Sequence, residues 1–248
     1  MTNRHYSRVF FETLIDASLD SVSKVSRLAF DAIGPTSVID FGCAEGHWLR
    51  AFQELGVTDI YGLDGTHVDQ ARLVISKDHF AEVDLERIGP VSRRYSLALC
   101  LEVAEHLSVA GGDRLIEAIC QSADAAMFSA AVPRQGGTNH INEQWIDYWV
   151  CRFQRLGWKT FDYFRPRIAY DREVAWWYRQ NLFMALSPTR SELISKLTEQ
   201  RVPDVAQEWV HFETFGQHSR LSSILKQVPQ AFAGSLRTRL RRVLAKRW

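Results

Sequence analysis

The segment LEVAEHL at 101–107 carries Glu102, Glu105 and His106 at positions i, i+3 and i+4. A helical turn would put all three on one face. Two carboxylates and an imidazole can hold a divalent cation. A second imidazole, His140, stands in the Gly-containing stretch RQGGTNHIN at 134–142 and is the candidate fourth ligand. Mg prefers oxygen ligands, so two histidines favour Mn or a similar ion. Two other readings stand beside the metal. His106 can act as a general base, since an imidazole titrates near neutrality and suits removal of an alcohol proton. Or Glu102 and His106 only shape a pocket.

A second constellation is VIDFGCAEG at 38–46, a short apolar run followed by a Gly-rich turn. Gly42 and Gly46 allow the backbone to approach a ligand where a side chain would collide. Asp40 ends the run. The spacing is not the dinucleotide pattern G-x-G-x-x-G, and no GK[ST] follows, which excludes a phosphate-cradling P-loop. Taken alone, the segment is also a plain strand-to-helix turn. Asp64, in YGLDG, is placed to accept hydrogen bonds from a ribose diol. Asp84, in AEVDL, is placed to accept one from an adenine amino group. Either aspartate serves equally well as a helix N-cap.

The elements that must position these residues follow from periodicity. Apolar positions recur at helical spacing over 8–33, and Gly34-Pro35 stops that helix. Strands are predicted at 37–41, 59–63, 80–84, 95–102 and 125–132. Helices are predicted at 46–55, 66–76, 111–121 and 143–156. Two further strands, near 158–165 and 179–186, flank an Arg- and Trp-rich insertion. Alternating strands and helices at this spacing argue for a doubly wound parallel sheet. The segment from 189 to 248 reads as helical and amphipathic.

In order and spacing, Asp40, Gly42, Gly46, Asp64 and Asp84 resemble the class I S-adenosylmethionine-dependent methyltransferases. The resemblance covers about 36–187. It implies a mostly parallel seven-stranded sheet, the Rossmann-like methyltransferase fold, with an antiparallel last strand near 179–186. The domains would be an N-terminal helical segment at 1–35, the methyltransferase domain at 36–187, and a helical extension with a basic tail at 188–248. S-adenosylmethionine would be held by Asp40, Gly42, Cys43, Ala44, Gly46, Asp64, Gly65, Asp84, Leu85 and Glu102. Ala44 is a departure, since many members carry Gly there.

E-x-x-E-H with a distant His resembles the metal site of small-RNA 2′-O-methyltransferases. E-x-x-E-H also resembles the quinone-biosynthesis O-methyltransferases. By that resemblance Glu102, Glu105, His106 and His140 would carry Mg or Mn, and Glu105, His106 and His140 would be catalytic. An alcohol acceptor needs a base or a metal more than an amine does, so the histidines favour an oxygen acceptor.

The acceptor side is the least legible. Trp145, Tyr148 and Trp149 stand at helical spacing, as a core stripe or as a wall for sugar carbons. The stretch GGTNHINEQW resembles bacterial methyltransferases associated with surface-polysaccharide biosynthesis. The insertion RPRIAYDREVAWWYR at 165–179 adds Trp176, Trp177 and four arginines suited to a phosphate or carboxylate, or to a solvated face. The expected activity is O-methylation of a sugar or glycan precursor. RNA 2′-O-methylation, methylation of a small phenol, and a binding protein without turnover are the alternatives.

Composition narrows the classes. In 248 residues, Lys plus Arg is 30 against 29 Asp plus Glu, a net charge of +1. That argues against a dedicated nucleic-acid binder. Hydrophobic residues at 46% and charged residues at 24% exclude disordered and low-complexity classes. The four cysteines, without C-x-x-C pairing, fit a reducing compartment. No apolar segment follows Met1 as in a signal peptide, and no run spans a membrane. The expected location is cytoplasmic.

The tail GSLRTRLRRVLAKRW at 234–248 is basic without an acid. Its apolar residues recur at helical spacing, as in helices that lie on anionic membrane surfaces, although a helix docked on the domain gives the same pattern. Each basic residue near the lipid is worth about 1 kcal/mol. Salt-sensitive co-sedimentation with anionic vesicles is therefore expected, and is lost on deleting 234–248. Equal sedimentation of full-length and truncated protein rules the contact out.

Overall fold

The computed structural model describes residues 8–200 and 202–204. The basic tail lies outside the described residues. Seven strands form one sheet: β1 (Ser37–Phe41), β2 (Asp59–Asp64), β3 (Phe80–Glu82), β4 (Leu97–Leu101), β5 (Ala125–Ser129), β6 (Lys159–Phe161) and β7 (Phe183–Leu186). Their order is β3-β2-β1-β4-β5-β7-β6. β1 to β5 pair in parallel, and β7 runs antiparallel to both β5 and β6. The expected seven-stranded, mostly parallel sheet with an antiparallel last strand is present.

The central strands are buried along their whole length, as apolar runs covered on both faces must be. Side chains alternate across the sheet. Val38, Leu97 and Leu99 join one core, with α1 (Arg8–Ile33) and α2 (His47–Glu54). Ile39, Ala98 and Cys100 join the other, with α3 (Val109–Ser122) and α4 (Ile146–Arg155). Val22, Val25, Ala29 and Ile33 give α1 its buried stripe. Three short helices complete the described chain: α5 (Arg165–Ile168) and α6 (Trp176–Asn181) in the insertion, and α7 (Ser191–Glu199). Among the described residues no helix is long and apolar enough to cross a membrane.

Several boundaries differ from the periodicity. The predicted helix over 66–76 does not form. Asp69 turns the chain instead: its carboxylate accepts from Ala71 N at 3.0 Å and its carbonyl from Arg72 N at 2.9 Å. Val74 N then donates to Glu45 O, tying the segment to the Gly-rich turn. Residues 143–145 precede α4 rather than starting it. The strand expected over 179–186 begins at Phe183, because α6 occupies 176–181. The strand expected over 158–165 keeps only Lys159–Phe161.

Phe128 on β5 is fully enclosed, with its ring centroid 5.4 Å from Trp149 and Phe183 and 5.5 Å from Phe153. Replacing it by Ala leaves a cavity between β5, α4 and β7. The expected cost is about 3–5 kcal/mol, read as a shifted urea midpoint.

Candidate active site at the carboxyl edge of the sheet

The strand order reverses between β1 and β4, and open α/β sheets bind ligands at such a point, outside the carboxyl ends of the strands. There the turn after β1 meets the turn after β4. Gly42 has φ +89°, and a Cβ on it would collide with Val103 Cγ2. Gly46, at φ +88°, leads into α2 with Ile75 packed so close that a Cβ would lie 2.8 Å from its Cγ1. Ala44 takes the left-handed φ of +47° despite its Cβ. Gly42 N and Cys43 N both donate to Leu63 O, and Ala44 N donates to Asp64 Oδ2 at 2.7 Å. Asp64 Oδ1 accepts from Gly65 N at 2.7 Å. One buried carboxylate thus fastens the ends of β1 and β2 together.

A cleft of about 1100 Å³ opens along this edge. Gly42, Ala44, Asp64, Gly65, Asp84, Leu85, Glu102 and His106 line it. Asp84 is exposed and also caps the turn Leu85–Arg87, its Oδ1 accepting from Glu86 N. Asp40, Cys43 and Gly46 do not line the cleft. Asp40 is sealed beneath the loop, 1% exposed, with Oδ2 lacking a partner. Burial, reinforced by the nearby Asp64 charge, pushes its pKa up to about 8. Cys43 is buried with its Sγ against Gly62, and burial raises its thiol pKa.

The segment after β4 is a single 3-10 turn, Ala104–His106, entered through Glu102 at φ +58°. The structure gathers Glu105, His106 and His140, with one potential ligand atom of each within 4.8 Å of the others. Glu102 is not part of this group, which corrects the four-residue ligand set. Its carboxylate is held elsewhere: Gln135 Nε2 donates to Oε2 at 2.7 Å and Asn181 Nδ2 to Oε1 at 3.2 Å. The loop after β5 is pinned by Ile141 N and Asn142 N, which both donate to Glu105 O. That brings the His140 ring 4.8 Å from the His106 ring, edge to face. Glu143 accepts from Arg134 N and Gly136 N and stands 3.0 Å from His140 Nδ1. It orients the imidazole as a carboxylate does behind a metal-ligating histidine.

Electrostatics separate the two glutamates. Neither Glu105 oxygen finds a hydrogen-bonding partner of good geometry. Burial first, then the Glu102 charge, holds its pKa well above the ordinary carboxylate range. Burial also raises Glu102, but its two amide donors oppose that, so Glu102 keeps the charge of the pair. His106 is lowered by burial and by the neighbouring His140, and is neutral at pH 7.

The aromatic stripe divides. Trp149 is core and Trp145 is exposed. Tyr148 lies under the Arg152 guanidinium. Two of the insertion's arginines, Arg165 and Arg179, are buried and bonded within it, Arg165 to Asp162 and Gln180 O and Arg179 to Ala169 O, so they do not await an anion. The sequence gives no local sign of a site role for Gln135 or Asn181. The spacing of His140 and Glu143 could have marked that pair; nothing local marks Asn181.

The strand order, with one antiparallel strand and a Gly-rich turn at the reversal, defines a Rossmann-like methyltransferase fold. Residues 12–167 match the family described as Methyltransferase domain, and the chain belongs to it. No curated protein matches it in sequence. An amino pentose methyltransferase from Micromonospora echinaspora, solved with S-adenosylmethionine bound, is similar at a TM-score of 0.51 and 14% identity, over 75% of this chain and 99% of that one. Magnesium protoporphyrin IX methyltransferase from Synechocystis is similar at 0.49 and 15%, over 75% and 86%. DesVI from Streptomyces venezuelae gives 0.44 and 14%, over 52% of this chain and 58% of that one.

Asp40 should leave a signature in stability. With a folded pKa near 8 against 3.8, the native state keeps a proton that the unfolded chain releases. Below pH 4 both states are protonated and the group contributes nothing. Between pH 4 and 8 it costs stability, at most about 1.4 kcal/mol per pH unit, and above 8 the cost is constant. Asp40→Asn removes this slope. Denaturant unfolding of both proteins from pH 4 to 9 should give curves that diverge up to pH 8; parallel curves contradict the assignment.

Proposed function

We propose that the protein transfers a methyl group from S-adenosylmethionine to a hydroxyl of a sugar or glycan precursor. The cofactor fits the residues present. The cleft passes a turn that no Cβ could occupy at Gly42, and ends in carboxylates at Asp64 and Asp84. In this reading Gly42, Ala44 and Gly65 border the cofactor, Asp64 faces its ribose and Asp84 its adenine, with Leu85 beneath. Asp40, Cys43 and Gly46 act from behind, by shaping the loop. Bound S-adenosylmethionine supplies a methyl group already activated on a sulfonium, so the protein needs only to position the acceptor and remove its proton.

The observation that carries the oxygen acceptor is the His106–His140 pair beside buried Glu105. Neutral His106 is in the state that accepts a hydroxyl proton. Glu143 orients His140, and Glu105 O fixes the loop that carries it. The same three groups also suit a metal-assisted variant. One carboxylate and two imidazoles favour Mn or a similar ion over Mg, and a metal would lower the hydroxyl pKa instead. Exposed Ile141 and Trp145, together with Thr138 and Asn139 on the cleft wall, offer apolar faces and polar groups of the kind saccharides use. The polysaccharide association, the cytoplasmic location, membrane contact through 234–248 and the division at 35 and 187 belong to this reading.

Calorimetry with S-adenosylhomocysteine tests the cofactor, and labelled S-adenosylmethionine with nucleotide sugars and lipid-linked glycans tests the acceptor. Asp64→Ala should weaken the cofactor by about 1.5–3 kcal/mol. Activity abolished by EDTA and restored by Mn selects the metal. Full activity in EDTA with an inactive His106→Ala selects the base. RNA binding that weakens steeply with salt would replace the saccharide by RNA.

A further inference from the structure

We propose that Glu102 is the anionic acceptor for the α-ammonium group of the bound cofactor, and that Gln135 and Asn181 are positioning residues that aim it. The inference rests on the cofactor reading above.

Strand order supplies the first argument. Along the carboxyl edge, β3, β2, β1 and β4 are successive neighbours. The residues that follow them are therefore met in the order Asp84, Asp64, Gly42, Glu102. A nucleoside with its base toward Asp84 and its ribose toward Asp64 has its amino-acid tail directed past Gly42 toward the end of β4. Val103, the neighbour of Glu102, packs directly on Gly42. An ammonium group at this end needs an acceptor, since leaving it desolvated and unpaired is costly.

The second argument is elimination among the acids at that end. Asp40 is sealed beneath the loop and Glu105 is fully buried; neither lines the cleft. Glu102 is the carboxylate after β4 that reaches it. Asp64 lines it too, but it ends β2, on the nucleoside side of Gly42 and two strands away from β4.

The third argument is that Glu102 is held for a task. Its backbone is in the left-handed region, which costs a side-chain-bearing residue energy and persists only when the surroundings fix it. One amide donates to each oxygen, and the two amides are themselves linked, Asn181 Nδ2 to Gln135 Oε1 at 2.8 Å. Val132 N donates to the same Gln135 oxygen. Asn181 is 1% exposed and comes from the insertion, so its amide cannot simply turn to water. Each carboxylate oxygen keeps a second lone pair, and an ammonium donates to such a site as a charge-assisted bond.

The test compares three probes by calorimetry. S-adenosylhomocysteine carries the ammonium and the carboxylate. Its decarboxylated analogue keeps only the amine. Methylthioadenosine has neither. Glu102→Gln should weaken the first two by about 10- to 100-fold and leave methylthioadenosine within about twofold. Gln135→Met and Asn181→Leu should weaken the same two probes by a smaller factor, and Glu102→Asp should recover part of the loss. Thermal melting checks that each variant folds. If Asn181→Leu does not, Gln135→Met carries the positioning claim. An equal loss for all three probes, or none for the amine-bearing two, overturns the proposal while leaving the cofactor reading in place. Failure of the wild-type protein to bind S-adenosylhomocysteine removes the cofactor reading and this proposal with it.

Discussion

Everything at the carboxyl edge depends on one close approach, that of the turn after β1 to the turn after β4. It is possible only because Gly42 has no side chain where Val103 packs. The contact closes the gap between the two strands at which the sheet changes direction. From it follow the floor of the cleft, the entry of Glu102 into the left-handed region, and the tight turn that carries Glu105 and His106. The loop amides on the other side of Gly42 are collected by Asp64, so the same edge is held from both directions.

The two glutamates of this turn are three residues apart and behave as different chemical groups. Glu102 is partly buried, with donors on both oxygens, and faces the cleft. Glu105 is buried with none of good geometry and faces the histidines. Desolvation acts on both, and hydrogen bonding decides which keeps its charge. The division of labour within E-x-x-E-H is thus set by residues outside it, from the β5–α4 loop and the β6–β7 insertion.

That explains which parts of the protein were legible in sequence. Buried strands such as SVIDF and LALCL, bounded by turn residues, announce themselves by composition, and the whole doubly wound pattern follows from them. In the irregular run at 66–76, Val68, Ala71 and Ile75 keep a weak helical spacing that Asp69 and the bond from Val74 to Glu45 override. The grouping of Glu102 with Glu105 and His106 assumed helical spacing. A single positive φ at Glu102 breaks the relation, and no residue type at that position signals it. Gln135 and Asn181 are ordinary amides far apart in the chain, made neighbours only by the pairing of β5 with β7.

The antiparallel β7 has a consequence for how such a chain can change. Because it runs against β5, Phe183 at its start lies opposite Phe128 near the end of β5. Whatever precedes β7 is therefore delivered to the carboxyl edge of the parallel strands, with the β6–β7 ladder beneath it. The stretch between Asp162 and Asn181 is itself anchored, with Phe164, Ile168, Val174 and Tyr178 buried in the core and Ala175 N donating to Ser21 Oγ on α1. A side chain changed on the exposed face of this stretch, at Tyr170 for example, alters the rim of that edge while the buried anchors and the ladder keep their places.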